Sequence, residues 1–246
     1  MMGEFLTRPY VNTEEERNAK EDILELINFE RFCRDNAQWD EMRKCFAKDS
    51  YVNISWYQGS GDGFVTASSK SPMYAPHKIH NSLTWINGNK AVTIMMATIQ
   101  NRRTIKGVEC ELSTDSQLLF STQKIEGQWY IVRFESIYEQ DRLIPVLPNA
   151  TLSMDKSELA RYRQSYACMS YCMALSGIEA NQNLAGIDRP EMVKKIYSEL
   201  KNGWRQNDEA AKNIRLFYNR SFDCHFYVFR LCGLWRQPAG RERRNT

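Results

Sequence analysis

The hydrophobic period of this chain changes near residue 50, and that change sets the class of fold open to it. Before it, Thr13-Glu14-Glu15-Glu16 has capping-box spacing, and Ile23, Leu26, Ile27 and Cys33 follow at three- and four-residue steps, flanked by Phe29 and Phe32; this predicts a helix over 14–33. Trp39, Met42 and Phe46 repeat at the same steps and predict a short second helix, joined to the first by the polar Asp35-Asn36-Ala37-Gln38. From Tyr51 the period is two: Val52, Ile54 and Trp56 alternate with Tyr51, Asn53, Ser55 and Tyr57, until Gly59-Ser60-Gly61-Asp62-Gly63 ends the strand in a loop. One short helix fits 64–74. Strands over 77–86 and 91–99 then meet at Asn87-Gly88, a hairpin signal because both central positions need positive φ, and strands over 107–122 and 128–137 turn at Glu126-Gly127.

Helices first and an antiparallel meander second describe an α+β fold. One face of such a sheet must be covered, and the leading amphipathic helices are the nearest cover, so the sheet is expected to curve around them as a cone with a ligand-sized cavity at its open end. Pro145 and Pro148 break the strand pattern. A helix over 157–176, stopped by Gly177, and another opened by Asp188-Arg189-Pro190-Glu191, with Met192, Val193, Ile196, Leu200 and Trp204 on its buried side, form a C-terminal helical extension. The expected organisation is an arm over 1–12, a pocket domain over 13–148, the extension over 149–207 and a tail over 208–246. The tail mixes Phe217, Tyr218, Phe222, Phe226, Tyr227, Phe229 and Trp235 with arginines and follows neither period.

Composition excludes several function classes. The 246 residues are 42% apolar, enough for a core, and 33 basic against 30 acidic residues leave a charge of +3 with no basic stripe interleaved with aromatics in the first 200 residues, so no nucleic-acid partner is expected. Cys33, Cys45, Cys110, Cys168, Cys172, Cys224 and Cys232 form an odd set with no C-x-x-C pair, which fits free thiols in a reducing compartment rather than disulfides or zinc. The polar, acidic 1–16 segment has no signal-peptide core and no run of 18 apolar residues occurs, so the expectation is a cytoplasmic protein without membrane partners.

Six stretches in order carry a family resemblance. They are Asp35-Asn36-Ala37-Gln38-Trp39 with Phe46 and Asp49; His77-Lys78-Ile79-His80-Asn81; Ile86-Asn87-Gly88-Asn89-Lys90-Ala91; Gln100-Asn101-Arg102 with Gly107-Val108-Glu109; Gly127-Gln128-Trp129-Tyr130-Ile131; and Ile137-Tyr138-Glu139-Gln140-Asp141-Arg142-Leu143-Ile144-Pro145-Val146. Over about residues 14–205 the chain resembles the SnoaL-like proteins, the scytalone-dehydratase branch of the nuclear-transport-factor-2-like superfamily. The resemblance implies that Asp35 is a pocket aspartate after the first helix, His77 a pocket histidine opening a central strand, and Asn81 a pocket amide further along it. It further implies acid–base chemistry without metal or cofactor, a small apolar or aromatic, cyclic or polycyclic ligand, and a homodimer or homotrimer paired through the sheet. One departure stands out: the dehydratases have a tyrosine on the first helix where this chain offers Phe29, Glu30 and Phe32, so Tyr51 or Tyr57 would supply the polarising hydroxyl. The second histidine of scytalone dehydratase has no counterpart in the strands after Ile99.

By position alone, Asp35 reads as a helix-capping or solvated carboxylate and His77 as a loop residue after Pro76; only the resemblance makes them partners. An imidazole near its ordinary pKa of about 6.5 shuttles protons at neutral pH, and a buried carboxylate orients it. Tyr51, Asn53 and Tyr57, with Ser55, share one strand face that lines a pocket or faces solvent, and Trp56 and Trp129 fit core packing, with Trp56 also a pocket candidate. His80 points to the opposite face from His77, so His77-x-x-His80 is not a metal pair. The glycine loop lacks the Lys-Ser/Thr of a phosphate loop and is assigned to the pocket mouth, and Glu139-Gln140-Asp141-Arg142 to an ion-pair segment closing the meander. His225 has no partner that sequence names. The expected activity is a cofactor-independent lyase or isomerase; the alternative is a non-catalytic ligand-binding or interaction module of the same fold.

Overall fold

A computed structural model of the chain describes residues 7–71 and 74–205. The expectations for the 208–246 tail, including His225, lie outside the described residues.

Helices α1 (Glu14–Asp35) and α2 (Trp39–Lys44) precede β1 (Phe46–Ile54), β2 (Tyr57–Ser60) and α3 (Gly61–Ser69). Then come β3 (His77–Asn87), β4 (Lys90–Ile105), β5 (Val108–Ile125), β6 (Gln128–Pro145), α4 (Lys156–Ala160), a 3-10 turn (Gln164–Tyr166), α5 (Ala167–Leu175) and α6 (Pro190–Arg205). One six-stranded sheet has the order β2-β1-β6-β5-β4-β3. This is the expected α+β architecture, a curved sheet around N-terminal helices with a helical C-terminal extension. Thr13 caps α1 by accepting from Glu16 N at 3.1 Å, while the Glu16 carboxylate accepts from Asn12 N at 2.6 Å.

Four local expectations give way to packing. Phe46 begins β1 instead of ending α2, because its ring meets Phe64 edge-on at 6.0 Å and its backbone pairs beside Ile131. That pairing of β1 with β6 is parallel, so the sheet is mixed rather than wholly antiparallel. Gly61 opens α3 rather than belonging to a loop: Ser60 caps the helix by accepting from Gly63 N, and a Cβ at Gly61 would collide with Phe46 and Ser50. The helix expected over 157–176 is broken at Arg163, which holds an extended ψ of 132°. Its guanidinium binds Asp188 at 2.5 and 2.7 Å and the carbonyls of Gln182 and Leu184. Asp188 accordingly serves Arg163 and Ser165 rather than capping α6, and its carboxyl is held down at about 2, mainly by the Arg163 bonds.

The sheet is buried on both faces. On the inner face Ala91, Met95, Ala97, Leu118, Phe120, Ile131 and Phe134 pack against Ile23 and Ile27 of α1, Met42 of α2 and Phe64 of α3. On the outer face Val92, Leu119 and Ile137 pack against Val193, Ile196, Tyr197 and Leu200 of α6. Beyond the cone, the far ends of β4 and β5 carry Ile105, Cys110 and Leu112, which are covered by Tyr171 and Cys172 of α5. Strand β3 is an edge strand with a bulge: Ile79 pairs with Ala97 and Ser82 with Met95, so His80 and Asn81 together stand opposite Met96.

Candidate functional site

The row Ala19, Ile23, Ile27, Arg31 and Asp35, spaced by four, runs down the inward side of α1, so the helix that covers the sheet carries two charges into the same layer. Asp35 is its last residue, where a carboxylate meets the negative end of the helix dipole. His77, first residue of β3, offsets this by two bonds: its backbone N–H donates to Asp35 Oδ2 at 2.7 Å, and its ring Nδ1 lies 2.7 Å from Asp35 Oδ1. The register that pairs His77 with Ile99 and Ile79 with Ala97 turns the histidine to the inner face. Ala37 takes the left-handed φ of 57° just past the helix end and turns the chain toward α2, a conformation that costs a non-glycine residue about 1–2 kcal/mol.

The other ring nitrogen is also engaged. His77 Nε2 lies 3.2 Å from Arg31 NH1. Arginine only donates, so Nε2 accepts, and Nδ1 carries the proton given to Asp35; the network thereby selects one neutral tautomer. Arg31 is held in turn by Glu30, which takes its Nε at 2.5 Å and NH2 at 2.6 Å, and the guanidinium carbon lies 4.7 Å from the Phe134 ring centre and 5.9 Å from that of Phe120. The Glu30 and Arg31 side chains are 0% and 5% exposed, so this is an ion pair inside the core, not a surface bridge. Burial lowers the His77 pKa to about 4, the Arg31 charge adds to the shift, and the Asp35 bond opposes it. For Asp35, burial pushes the carboxyl up, but the His77 bonds and the nearby Arg31 charge outweigh it and leave the pKa below its usual value. At neutral pH the pair is therefore a carboxylate beside an uncharged imidazole.

Of the residues expected at the site, the structure brings Asp35 and His77 together and leaves the others elsewhere. Tyr51 and Asn53 pair with Arg133 and Glu135, and Asn53 Nδ2 donates to Glu135 Oε1 at 3.3 Å; both lie on the outer face, since Val52 between them is fully buried in the inner core. Tyr57 donates its hydroxyl to the Ser60 carbonyl at 3.0 Å, and its ring packs with Trp56 and Phe64. Trp56 is half-buried against that core. Asn81 is exposed within the β3 bulge, which breaks the alternation that would have turned it inward. His80 faces the other way from His77, as expected, and lies 2.8 Å from Thr98 Oγ1. Among the described residues no cluster of three His, Cys, Asp or Glu is arranged to hold a metal, and no helix is long and apolar enough to cross a membrane. Cys33, Cys45, Cys110, Cys168 and Cys172 are free thiols.

Sequence reasoning missed Arg31 and the role of Glu30. The signal was present: Arg31 stands four residues after Ile27 and four before Asp35, a charged residue on an apolar stripe.

No family model matches the chain. An uncharacterized protein of Emericella nidulans is 30% identical over 165 residues, covering 62% of this chain and 69% of that protein. Pea pathogenicity protein 2 of Fusarium vanettenii is 31% identical over 144 residues, 56% of this chain and 62% of that protein, and a PEP2-like protein of the same organism is 26% identical over 194 residues, 72% and 81%. Among solved structures, a hexachlorocyclohexane dehydrochlorinase of Novosphingobium barchaimii has a TM-score of 0.46 at 9% identity, covering 57% of this chain and 98% of that one. A nuclear-transport-factor-2-like protein with a cystatin-like fold from Novosphingobium aromaticivorans has a TM-score of 0.42 at 13% identity, covering 52% and 90%. On sequence shared across more than two thirds of the Emericella nidulans protein, the chain belongs to that protein's family, and its fold is the helix-filled curved sheet described above.

Proposed function

We propose that this chain is a cofactor-independent lyase or isomerase acting on a small cyclic or polycyclic ligand, with His77 as general base and Asp35 as its partner. The observation that carries the reading is the pairing itself: a neutral imidazole whose Nδ1–H is fixed on a buried carboxylate presents the lone pair of Nε2 as its one basic atom. In the proposed step a ligand C–H bond breaks, Nε2 takes the proton, and the electron pair moves onto an adjacent carbonyl oxygen. The imidazolium that forms is stabilised by Asp35. The proton is then returned to a different carbon, which isomerises the ligand, or to a departing hydroxide, which leaves as water.

The test is a panel of cyclic β-hydroxy ketones assayed for loss of water or solvent-deuterium exchange beside the carbonyl. Turnover that falls at least about 100-fold in His77→Asn supports the reading, on the usual scale for a general base. Turnover indifferent to His77 sinks it. One observation favours the non-catalytic alternative: Arg31 stands against Nε2, so the resting base is covered. A tightly bound ligand that the protein leaves unchanged would select that alternative. Self-association as a homodimer or homotrimer belongs to the same proposal. Because α6 covers Val92, Leu119 and Ile137, such pairing would use another surface, and sedimentation measures the mass directly.

A further inference from the structure

The atom that the proposed chemistry needs is capped by a group that is itself immobilised. Arg31 NH1 lies 3.2 Å from His77 Nε2, the Nε–NH2 edge of the guanidinium is taken by Glu30, and its central carbon lies over the Phe134 ring, with Phe120 next to it. A guanidinium held along one edge and set over an aromatic ring has little room to swing, and it neither gives up its proton nor accepts another. A ligand that reaches Nε2 must therefore separate the two nitrogens and take NH1 as a neighbour. If it brings no acceptor, a buried charged N–H is left unpaired. If it brings an oxygen, that oxygen replaces Nε2 as the acceptor and frees the imidazole lone pair.

We propose that Arg31 is the specificity-determining residue of the Asp35–His77 site: NH1 receives an oxygen of the ligand while Nε2 faces the proton to be removed, so ligands with an oxygen acceptor beside the reacting atom enter and their hydrocarbon analogues are refused. The proposal rests on the acid–base reading of the site. The negative charge that gathers on the ligand oxygen as Nε2 takes the proton is then met by a fixed cation. Glu30 acts through Arg31 and is a positioning residue: it sets the fork and balances its charge before a ligand arrives.

The experiment compares 2-naphthol with naphthalene on the full chain, by fluorescence titration and by the 15N signals of the His77 ring. Wild type is expected to bind 2-naphthol at least about tenfold more tightly than naphthalene, the range for a hydrogen bond to a charged group, with the Nε2 signal moving as Arg31 is displaced. Arg31→Met is expected to erase the preference, and Arg31→Lys to keep part of it. Because Arg31→Met strands the Glu30 carboxylate, the paired change Glu30→Gln with Arg31→Met supplies a variant without that unpaired charge. A wild type with no preference, or a preference that survives both variants, overturns the proposal. The base itself is read separately: ketone turnover lost in His77→Asn alongside an unchanged naphthol preference in Arg31→Met removes Arg31 alone, whereas turnover that persists in His77→Asn removes the acid–base reading whatever the naphthol result.

Discussion

His77 and His80 are three residues apart on one strand and live in different chemical worlds. His77 is enclosed between Asp35 and Arg31 on the inner face, with its side chain 9% exposed. His80 is exposed and sits over the outer face, where Thr98 donates to Asp115 at 2.6 Å and therefore accepts from His80 Nε2. Asp115 is bound further by Gln140 at 3.0 Å and approached by Arg142 at 3.5 Å. Both histidines have an aspartate at the end of their chain of bonds. What separates them is water: inside, each charge must be met by another protein group, and outside, solvent shares the task.

The comparison is broken most severely by removing one charge from the inner cluster. Glu30→Ala leaves Arg31 buried without its fork partner and is expected to cost about 3–5 kcal/mol in denaturant-unfolding stability. A loss below about 1 kcal/mol, the size of an exposed pair, would mean the cluster is wetter than its burial implies. Acid gives the next largest effect. With the His77 pKa at about 4 when folded and about 6.5 when unfolded, the unfolded chain binds the extra proton as pH falls through that window, and about 3 kcal/mol of stability is lost. Asp35 acts with the same sign at lower pH, since its lowered pKa means the unfolded chain protonates first. Stability measured from pH 7 to pH 4 should fall in wild type and flatten between 6.5 and 4 in His77→Asn.

Asp35→Asn sharpens the contrast without emptying the site. Loss of the carboxylate charge should lower the proton affinity of His77 by about a further tenfold, read from its ring signals by NMR, and an unchanged titration would dissolve the pair. The smallest effect belongs to the outer histidine: His80→Ala should change stability by less than about 1 kcal/mol, because its single bond to Thr98 is replaced by water.

What the residues revealed in advance follows the same division between local and long-range causes. The cap and stripe of α1, the stripe of α6 and the Asn87-Gly88 turn are set by neighbours a few positions away, and they were legible. Phe46 was not, because its spacing from Met42 suits a helix and only Phe64 and Ile131 draw it into β1. The break at Arg163 was hidden for a like reason, since its partner Asp188 is 25 residues away. At the site, the resemblance pointed to Asp35 and His77, which meet, and to Asn81, which does not, because a bulge leaves no mark in alternation until the register is known. Arg31 was legible as an anomaly in a stripe, but nothing local says that a histidine 46 positions on completes it.

The bulge has a consequence for the chain's neighbours as well as for Asn81. β3 closes one side of the sheet, and Ile79 and Leu83 are 38% and 45% exposed along it, a composition that invites a foreign strand to add on. An incoming strand that matched the Ile79 end would fall out of step by Ser82, since the extra residue shifts the donors and acceptors beyond it. At the opposite margin β2 offers only Tyr57–Ser60, too short to template much. The irregularity in β3 thus works as protection against uncontrolled sheet growth, and straightening it by deleting Asn81 should show first as aggregation.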